Sequence, residues 1–171
     1  MDLTTLIREI PDFPKPGVGY KDITPLLKNP AGLAMAVEQM ASPFRDQGVE
    51  LVCGAESRGF IFGTAIAQAL SAGFVPIRKP GKLPHETREV SYELEYGQDT
   101  LEIHTDAIAA GQRVLMVDDL LATGGTLQAC LELVGGLGAK VVGVAVAIEL
   151  TFLNGRDQIK PHDNVHAVIR Y

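Results

Sequence analysis

Val114-Leu115-Met116-Val117-Asp118-Asp119-Leu120-Leu121-Ala122-Thr123-Gly124-Gly125-Thr126 is the stretch on which the reading of this chain turns. Four consecutive apolar residues, Val114 to Val117, suit a strand buried on both faces. They run into two carboxylates, Asp118 and Asp119, and then into a turn of small residues that opens a helix over Gly124–Leu137. The paired glycines let a backbone approach a ligand closely. Thr123 and Thr126 add hydroxyl donors, and the helix start presents unpaired N–H groups at the positive end of its dipole. Such a turn is a nest for a phosphate monoester. The carboxylates just upstream are placed to hold ribose hydroxyls or magnesium, which suits a sugar phosphate better than a nucleoside triphosphate.

Outward from this run, strands and helices alternate. Strands are expected at Glu50–Ala55, Phe74–Lys79, Arg113–Asp118, Lys140–Glu149 and Val165–Tyr171. Helices are expected at Gly32–Gln47, Arg58–Ser71 and Gly124–Leu137, with Pro43 kinking or ending the first. This pattern predicts an α/β fold, a mostly parallel central sheet flanked by helices on both faces, with ligands beyond the carboxyl ends of the strands. Arg88–Glu95 and Asp99–His104, around Tyr96-Gly97-Gln98, read as a hairpin or flap. The polar loop before it, Pro80–Thr87, has the character of a lid. Leu3–Ile10 reads as a short helix with Asp2 or Thr4 near its cap, and Pro11 to Gly19 as a shaped loop. No repeat, low-complexity tract or linker interrupts the 171 residues. One domain is therefore expected, with a hood at about 1–30, a core at about 31–171 and a flexible loop or flap at about 80–104.

Composition excludes several classes. The apolar set at 46% and charged residues at 21% are ordinary globular usage, not disordered or fibrous. No apolar run reaches the roughly 18 residues of a membrane span, and Met1–Glu9 lacks the pattern of a signal peptide, so a cytoplasmic protein with no membrane partner is expected. The net charge of −6 argues against nucleic-acid binding. It also means that an anionic substrate must be held by local amides, a few cations and a metal. Cys53 and Cys130 sit in apolar runs and read as small buried hydrophobes without zinc spacing. Neither a Walker-A motif nor a dinucleotide-binding glycine pattern is present. An acidic pair after a strand also suits a receiver-type signalling domain, but there the pair opens the domain, whereas here it lies past residue 110.

The thirteen-residue run is similar to the phosphoribosyl pyrophosphate (PRPP) signature of the type I phosphoribosyltransferases. Further segments resemble the branch of that family that uses adenine. Asp12–Gly17 and Lys21–Leu27 resemble its base-binding hood, and Glu56-Ser57-Arg58-Gly59-Phe60 its pyrophosphate loop. Ile77–Pro84 and Ser91–Gly97 resemble its flexible loop and catalytic segment. The resemblance implies an enzyme that converts adenine and PRPP to AMP and diphosphate with Mg2+, as a homodimer. It implies PRPP binding by Arg58, Lys79, Lys82, Asp118, Asp119, Ala122, Thr123, Gly124, Gly125 and Thr126. Adenine would be held by backbone atoms of Gly19, Tyr20 and Lys21, where many relatives carry a branched apolar residue, an aromatic and Arg. The loop residues Glu56 and Ser57 would be joined by a cis peptide, and magnesium held mainly by PRPP, with Asp118 and Asp119 as further ligands. Ala122 stands where the 6-oxopurine relatives carry an aspartate and cannot move a proton, so Glu95 is the candidate general acid–base.

Some alternatives stay open on sequence alone. Phe13 and Tyr20 read as base-stacking or core aromatics, and His85 as a solvated residue or a phosphate contact. His104, His162 and His166 have no spaced partner. Asn154-Gly155-Arg156 resembles a family segment without an evident chemical role. A PRPP-binding regulator on the same fold is the competing function, disfavoured because no spare DNA-binding region or basic face accompanies the domain.

Overall fold

The computed structural model describes residues 1–93, 97–159 and 164–171. The chain opens with one 3-10 turn, Leu3–Leu6, capped by the Asp2 carboxylate, which accepts from Thr4 N–H at 2.9 Å. The helix expected to reach Ile10 stops there. Ile7 is extended, with φ −101° and ψ 123°, and Arg8–Ile10 forms strand β1, antiparallel to β2 (Tyr20–Asp22). Cross-strand pairing over a proline-rich loop overrides the local helical pattern, a non-local effect that propensity does not register. Helix α1 (Thr24–Lys28) leads to α2 (Pro30–Ala41). Asn29 caps α2 by accepting from Gly32 N–H at 2.9 Å, and Pro30 occupies the first turn, where no amide is needed. Pro43 ends regular helix as expected, and Ser42–Phe44 continues as a 3-10 turn.

The alternation then follows the expected course, with ends shifted by a few residues. It comprises β3 (Leu51–Ala55), α3 (Arg58–Ala69), β4 (Gly73–Ile77) and the hairpin β5 (Thr87–Glu93) and β6 (Gln98–His104). It continues with β7 (Arg113–Leu121), α4 (Gly125–Gly136), β8 (Lys140–Glu149) and β9 (Val165–Arg170). Five strands form one parallel sheet in the order β4-β3-β7-β8-β9. One difference from the sequence reading matters. β7 runs on to Leu121, so Asp118 and Asp119 lie within the sheet, Asp118 opposite Val146, rather than at its margin.

Alternating side chains of the sheet feed two cores. On one face Met40, Phe44, Phe62 and Ile66, from α2, α3 and the turn between, pack against Leu115, Val117 and Ala145. On the other, Leu127, Leu133 and Val134 of α4, with Leu101 and Ile103 of the hairpin, pack against Val114, Met116 and Val144. Burying side chains of this size contributes about 1.5–3 kcal/mol each. Both cysteines are free and buried, and burial pushes the Cys53 thiol up to about 12, which makes it a core residue rather than a reactive one.

The strand order sets the place of the site. From β3 the chain passes through α3 to a neighbour on one side, whereas from β7 it passes through α4 to a neighbour on the other. The sheet therefore has its topological switch between β3 and β7, and the loops leaving their carboxyl ends splay apart into a crevice.

Candidate functional site

A cavity of about 420 Å³ occupies that crevice, lined by Glu56, Ser57 and Arg58 after β3 and by residues 118–127 around the end of β7. Two helices start at its wall. α3 has Ser57 at its cap position and α4 has Gly124, and neither receives a side-chain cap. No side chain of the protein takes their first-turn N–H groups, although the Phe60 amide donates to the Ser57 carbonyl at 3.1 Å, and both dipoles present their positive ends to the cavity. This contrasts with α2, whose start is closed by Asn29. The Glu56–Ser57 peptide is cis, as the resemblance implied.

The acidic pair forms the floor. Asp118 Oδ1 accepts from the Asp119 amide at 2.9 Å, and Asp119 Oδ2 lies 3.0 Å from Arg58 Nε. Burial and the adjacent Asp119 charge raise the Asp118 pKa well above its ordinary value. Burial also raises that of Asp119, with the Arg58 guanidinium working against it. Both carboxylates are costly to keep ionised here without a cation or hydroxyl donors, which is the environment a sugar and a metal would relieve. Among the described residues no group of three or more His, Cys, Asp or Glu is placed to hold a metal. The donors on offer are two hard carboxylates, which fits a magnesium ion whose remaining ligands come from substrate oxygens.

Ala122, Thr123, Gly124, Gly125 and Thr126 line the cavity together. Gly124 adopts φ +93°, a left-handed conformation that turns the chain into α4. The hairpin leans over this loop. Tyr92 Oη lies 3.3 Å from Thr126 Oγ1, and the Tyr92 ring is the nearest neighbour of a side chain added at Gly125.

Lys79 and Lys82 flank the cavity without lining it, and each is paired. Lys82 Nζ lies 2.5 Å from Glu56 Oε1, and Lys79 Nζ lies 3.0 Å from Asp99 Oδ2. Glu56 is a hub that also takes Arg78 Nε at 3.2 Å and the Lys79 amide at 2.9 Å. Burial would raise its pKa, but the Lys82, Lys79 and Arg78 contacts prevail and hold it below the ordinary value. The sequence marks the cations but not the carboxylates that hold them. Glu56 stands in the loop that resembles a pyrophosphate loop, and nothing local marks Asp99 as a partner 20 residues from Lys79.

Of the adenine candidates, Tyr20 reaches the site. Its hydroxyl accepts from Arg58 Nη1, and its ring lies 5.2 Å from Arg58 Cζ. Phe13 stands edge-on to Tyr20 at 5.1 Å and is 50% exposed, which removes the core reading for it. Lys21 directs its side chain elsewhere, to Glu9 at 3.1 Å and over the Tyr171 ring at 4.0 Å. Its backbone is left for a ligand, and among the described residues β2 pairs with β1 alone. Glu95 and His162 lie outside the described residues. His85 is exposed, 3.7 Å from Asp106 and edge-on to His104, and is not among the residues lining the cavity.

Comparison with known proteins agrees with this geometry. Residues 23–169 match the phosphoribosyl transferase domain family. The chain is 57% identical to the adenine phosphoribosyltransferase of Symbiobacterium thermophilum over 98% of its own length and 99% of the relative's. It superposes on the crystal structure of adenine phosphoribosyltransferase from Rhodothermus marinus with a TM-score of 0.94 at 52% identity, covering 99% and 96% of the two chains. The enzyme from Giardia lamblia, solved with 9-deazaadenine, gives 0.94 at 36% identity, covering 99% and 96%. With its switch-point cavity, acidic pair and uncapped helix starts, the chain belongs to the phosphoribosyltransferases of type I fold, and within them to the adenine phosphoribosyltransferases.

Proposed function

We propose that the protein transfers the 5-phosphoribosyl group of PRPP to adenine, giving AMP and diphosphate. The observation that carries this reading is the single cavity wall on which two uncapped helix starts flank a buried acidic pair. The start of α4, residues 123–126, takes the 5′-phosphate. Asp118 and Asp119 take the ribose hydroxyls, and the start of α3 with the Glu56–Ser57 loop takes the pyrophosphate.

In the transfer, the C1′–oxygen bond to pyrophosphate breaks and the N9–C1′ bond forms. The base gives up its imidazole proton, and diphosphate leaves with the bonding electron pair. Positive charge grows on the ribose as the bond breaks, and the carboxylates beneath it favour that charge. Arg58, Lys79 and Lys82 answer the negative charge on the leaving group. Lys79 and Lys82 must exchange Asp99 and Glu56 for phosphate oxygens to do so. Asp118 and Asp119 would help hold a magnesium ion, which would supply positive charge to favour departure of the pyrophosphate. Ala122 has no proton to move, so Glu95 serves as the acid–base group. Adenine sits under the hood on backbone atoms of Gly19, Tyr20 and Lys21, with Phe13 against its face. The whole chain acts as one domain, works as a homodimer and resides in the cytoplasm, in keeping with described helices too short and polar to cross a membrane.

The deciding experiment mixes protein, magnesium, PRPP and adenine and follows AMP and diphosphate. Formation of both in equal amounts is expected. Binding of PRPP without turnover would replace the enzyme by a PRPP-dependent regulator.

A further inference from the structure

Next to residues 121–124, and outside the cavity lining, lies a charged cluster that the transfer reaction does not use. Glu149 ends β8 and is 5% exposed. Arg156 grips it with two parallel hydrogen bonds, Nε to Oε1 at 2.6 Å and Nη2 to Oε2 at 2.7 Å, and a third from Nη1 to the Val165 carbonyl at 3.0 Å. Arg170 adds an ion pair from Nε to Oε2 at 3.2 Å. A planar guanidinium held at both forks and at a carbonyl fixes the orientation of the segment that carries it.

That segment presses on the phosphate loop. A side chain added at Gly155 would stand 2.2 Å from the Ala122 carbonyl oxygen and 2.8 Å from Leu121 Cδ1. One added at Gly124 would stand 2.4 Å from the Gly155 carbonyl oxygen and 3.0 Å from Gln158 Cβ. The two backbones therefore touch directly, and each contact exists only because the residue is glycine. The Leu150 amide donates to the Leu121 carbonyl at 2.9 Å and ties the same two chains one step earlier. Neither Glu149, Gly155 nor Arg156 lines the cavity.

We propose that the Glu149–Arg156 pair is a positioning device for the 5′-phosphate site. By clamping Arg156 it holds Gly155 against Ala122 and Gly124, and so sets the direction of the amides at the start of α4. The proposal rests on reading residues 123–126 as the 5′-phosphate nest. It assigns a role to the Asn154-Gly155-Arg156 segment, which the sequence left without one. Because the clamp acts on a handle remote from the reacting carbon, its loss weakens substrate binding more than the chemical step.

The test compares the wild type with Arg156→Met, Arg156→Lys and Gly155→Ala. Affinities for ribose 5-phosphate and for magnesium pyrophosphate are measured by calorimetry, with steady-state kinetics and melting temperature beside them. Ribose 5-phosphate affinity is expected to fall tenfold or more in Arg156→Met and Gly155→Ala. KM for PRPP should rise in parallel, while pyrophosphate affinity and the KM for adenine stay within about twofold. Arg156→Lys keeps the charge but not the fork and should fall between. Should Arg156→Met lose the fold, Arg156→Lys carries the same comparison. Ribose 5-phosphate affinity within twofold of wild type in folded variants would overturn the proposal, as would equal loss of both ligands, which marks general loosening. A wild type that binds no ribose 5-phosphate would instead overturn the assignment of the nest itself.

Discussion

Arg58 Nε and Asp119 Oδ2 lie 3.0 Å apart, joining the first residue of α3 to the acidic pair of β7 across the switch of the sheet. The pair makes the two halves of the site one electrostatic unit. It also offsets part of the cost of an acid that is 4% exposed.

Replacing both acids, Asp118→Asn with Asp119→Asn, is expected to lower kcat/KM by about 10²-fold or more. Stability should hold or rise. The folded-state pKa values of both acids are raised, so ionising them at neutral pH costs the fold free energy that the neutral amides do not. Steady-state rates and melting temperatures at pH 7 check this, and wild-type rates in the double variant would remove the ribose assignment.

Lys82 and Lys79 are held by the protein carboxylates Glu56 and Asp99, which phosphate oxygens would have to replace under the proposed mechanism. Glu56→Gln weakens the hold on Lys82 and Arg78. Amide exchange across Pro80–Thr87 is expected to quicken in this variant without ligand. In the wild type, exchange there should slow when PRPP and base bind, since closure excludes water. Equal exchange with and without ligand would count against a lid.

Base choice should follow backbone polarity. Adenine offers an amino donor and an N1 acceptor, whereas hypoxanthine and guanine offer the reverse on that edge. Each mismatched buried group costs roughly 1–3 kcal/mol. Rates with hypoxanthine and guanine should therefore fall by about 10²-fold or more. Lys21→Arg should keep the preference, because the Lys21 side chain points to Glu9 and Tyr171. Phe13→Ala is expected to raise the KM for adenine and leave that for PRPP nearly unchanged. Steady-state kinetics with three purines decide it, and comparable hypoxanthine rates would sink the assignment.

Glu95→Gln should lower turnover with adenine and leave PRPP affinity unaltered. A fully active variant would move the proton-handling role to another group.

Acid should unlock the clamp beside the phosphate loop. The hydrogen bonds from Arg156, opposed by burial and aided by the Arg156 and Arg170 charges, hold the Glu149 carboxyl below its ordinary value of 4.5. A depressed folded-state pKa stabilises the protein fully above 4.5, and the contribution is lost as pH falls through the folded value. Glu149→Gln is thus expected to cost about 1.5–3 kcal/mol at pH 7, in the range of charged hydrogen bonds. The gap to wild type should close below pH 4.5. Urea midpoints at both pH values measure this, and a gap independent of pH would show that the ion pair contributes nothing.

The sequence alone determined the family and the parallel sheet, and it marked the segment proposed as the phosphate nest. Those rest on residues adjacent in the chain: an apolar run, two acids, and a small-residue turn that opens a helix within Val114–Thr126. Local spacing suffices there because a strand, a turn and a helix start are written in consecutive residues. The β5–β6 hairpin was legible for the same reason, from alternation on either side of a glycine turn.

What the tertiary structure decided is where residues far apart in the chain meet. Arg8–Ile10 became a strand because Tyr20–Asp22 lies beside it. Lys82 found Glu56, Lys79 found Asp99 and Tyr20 found Arg58 through packing that no local pattern encodes. Gly155 could be seen in the sequence, but its contact with Ala122 follows from the segment after β8 folding against the end of β7. Only in three dimensions does a glycine without a chemical group of its own acquire a consequence, by letting one backbone rest on another.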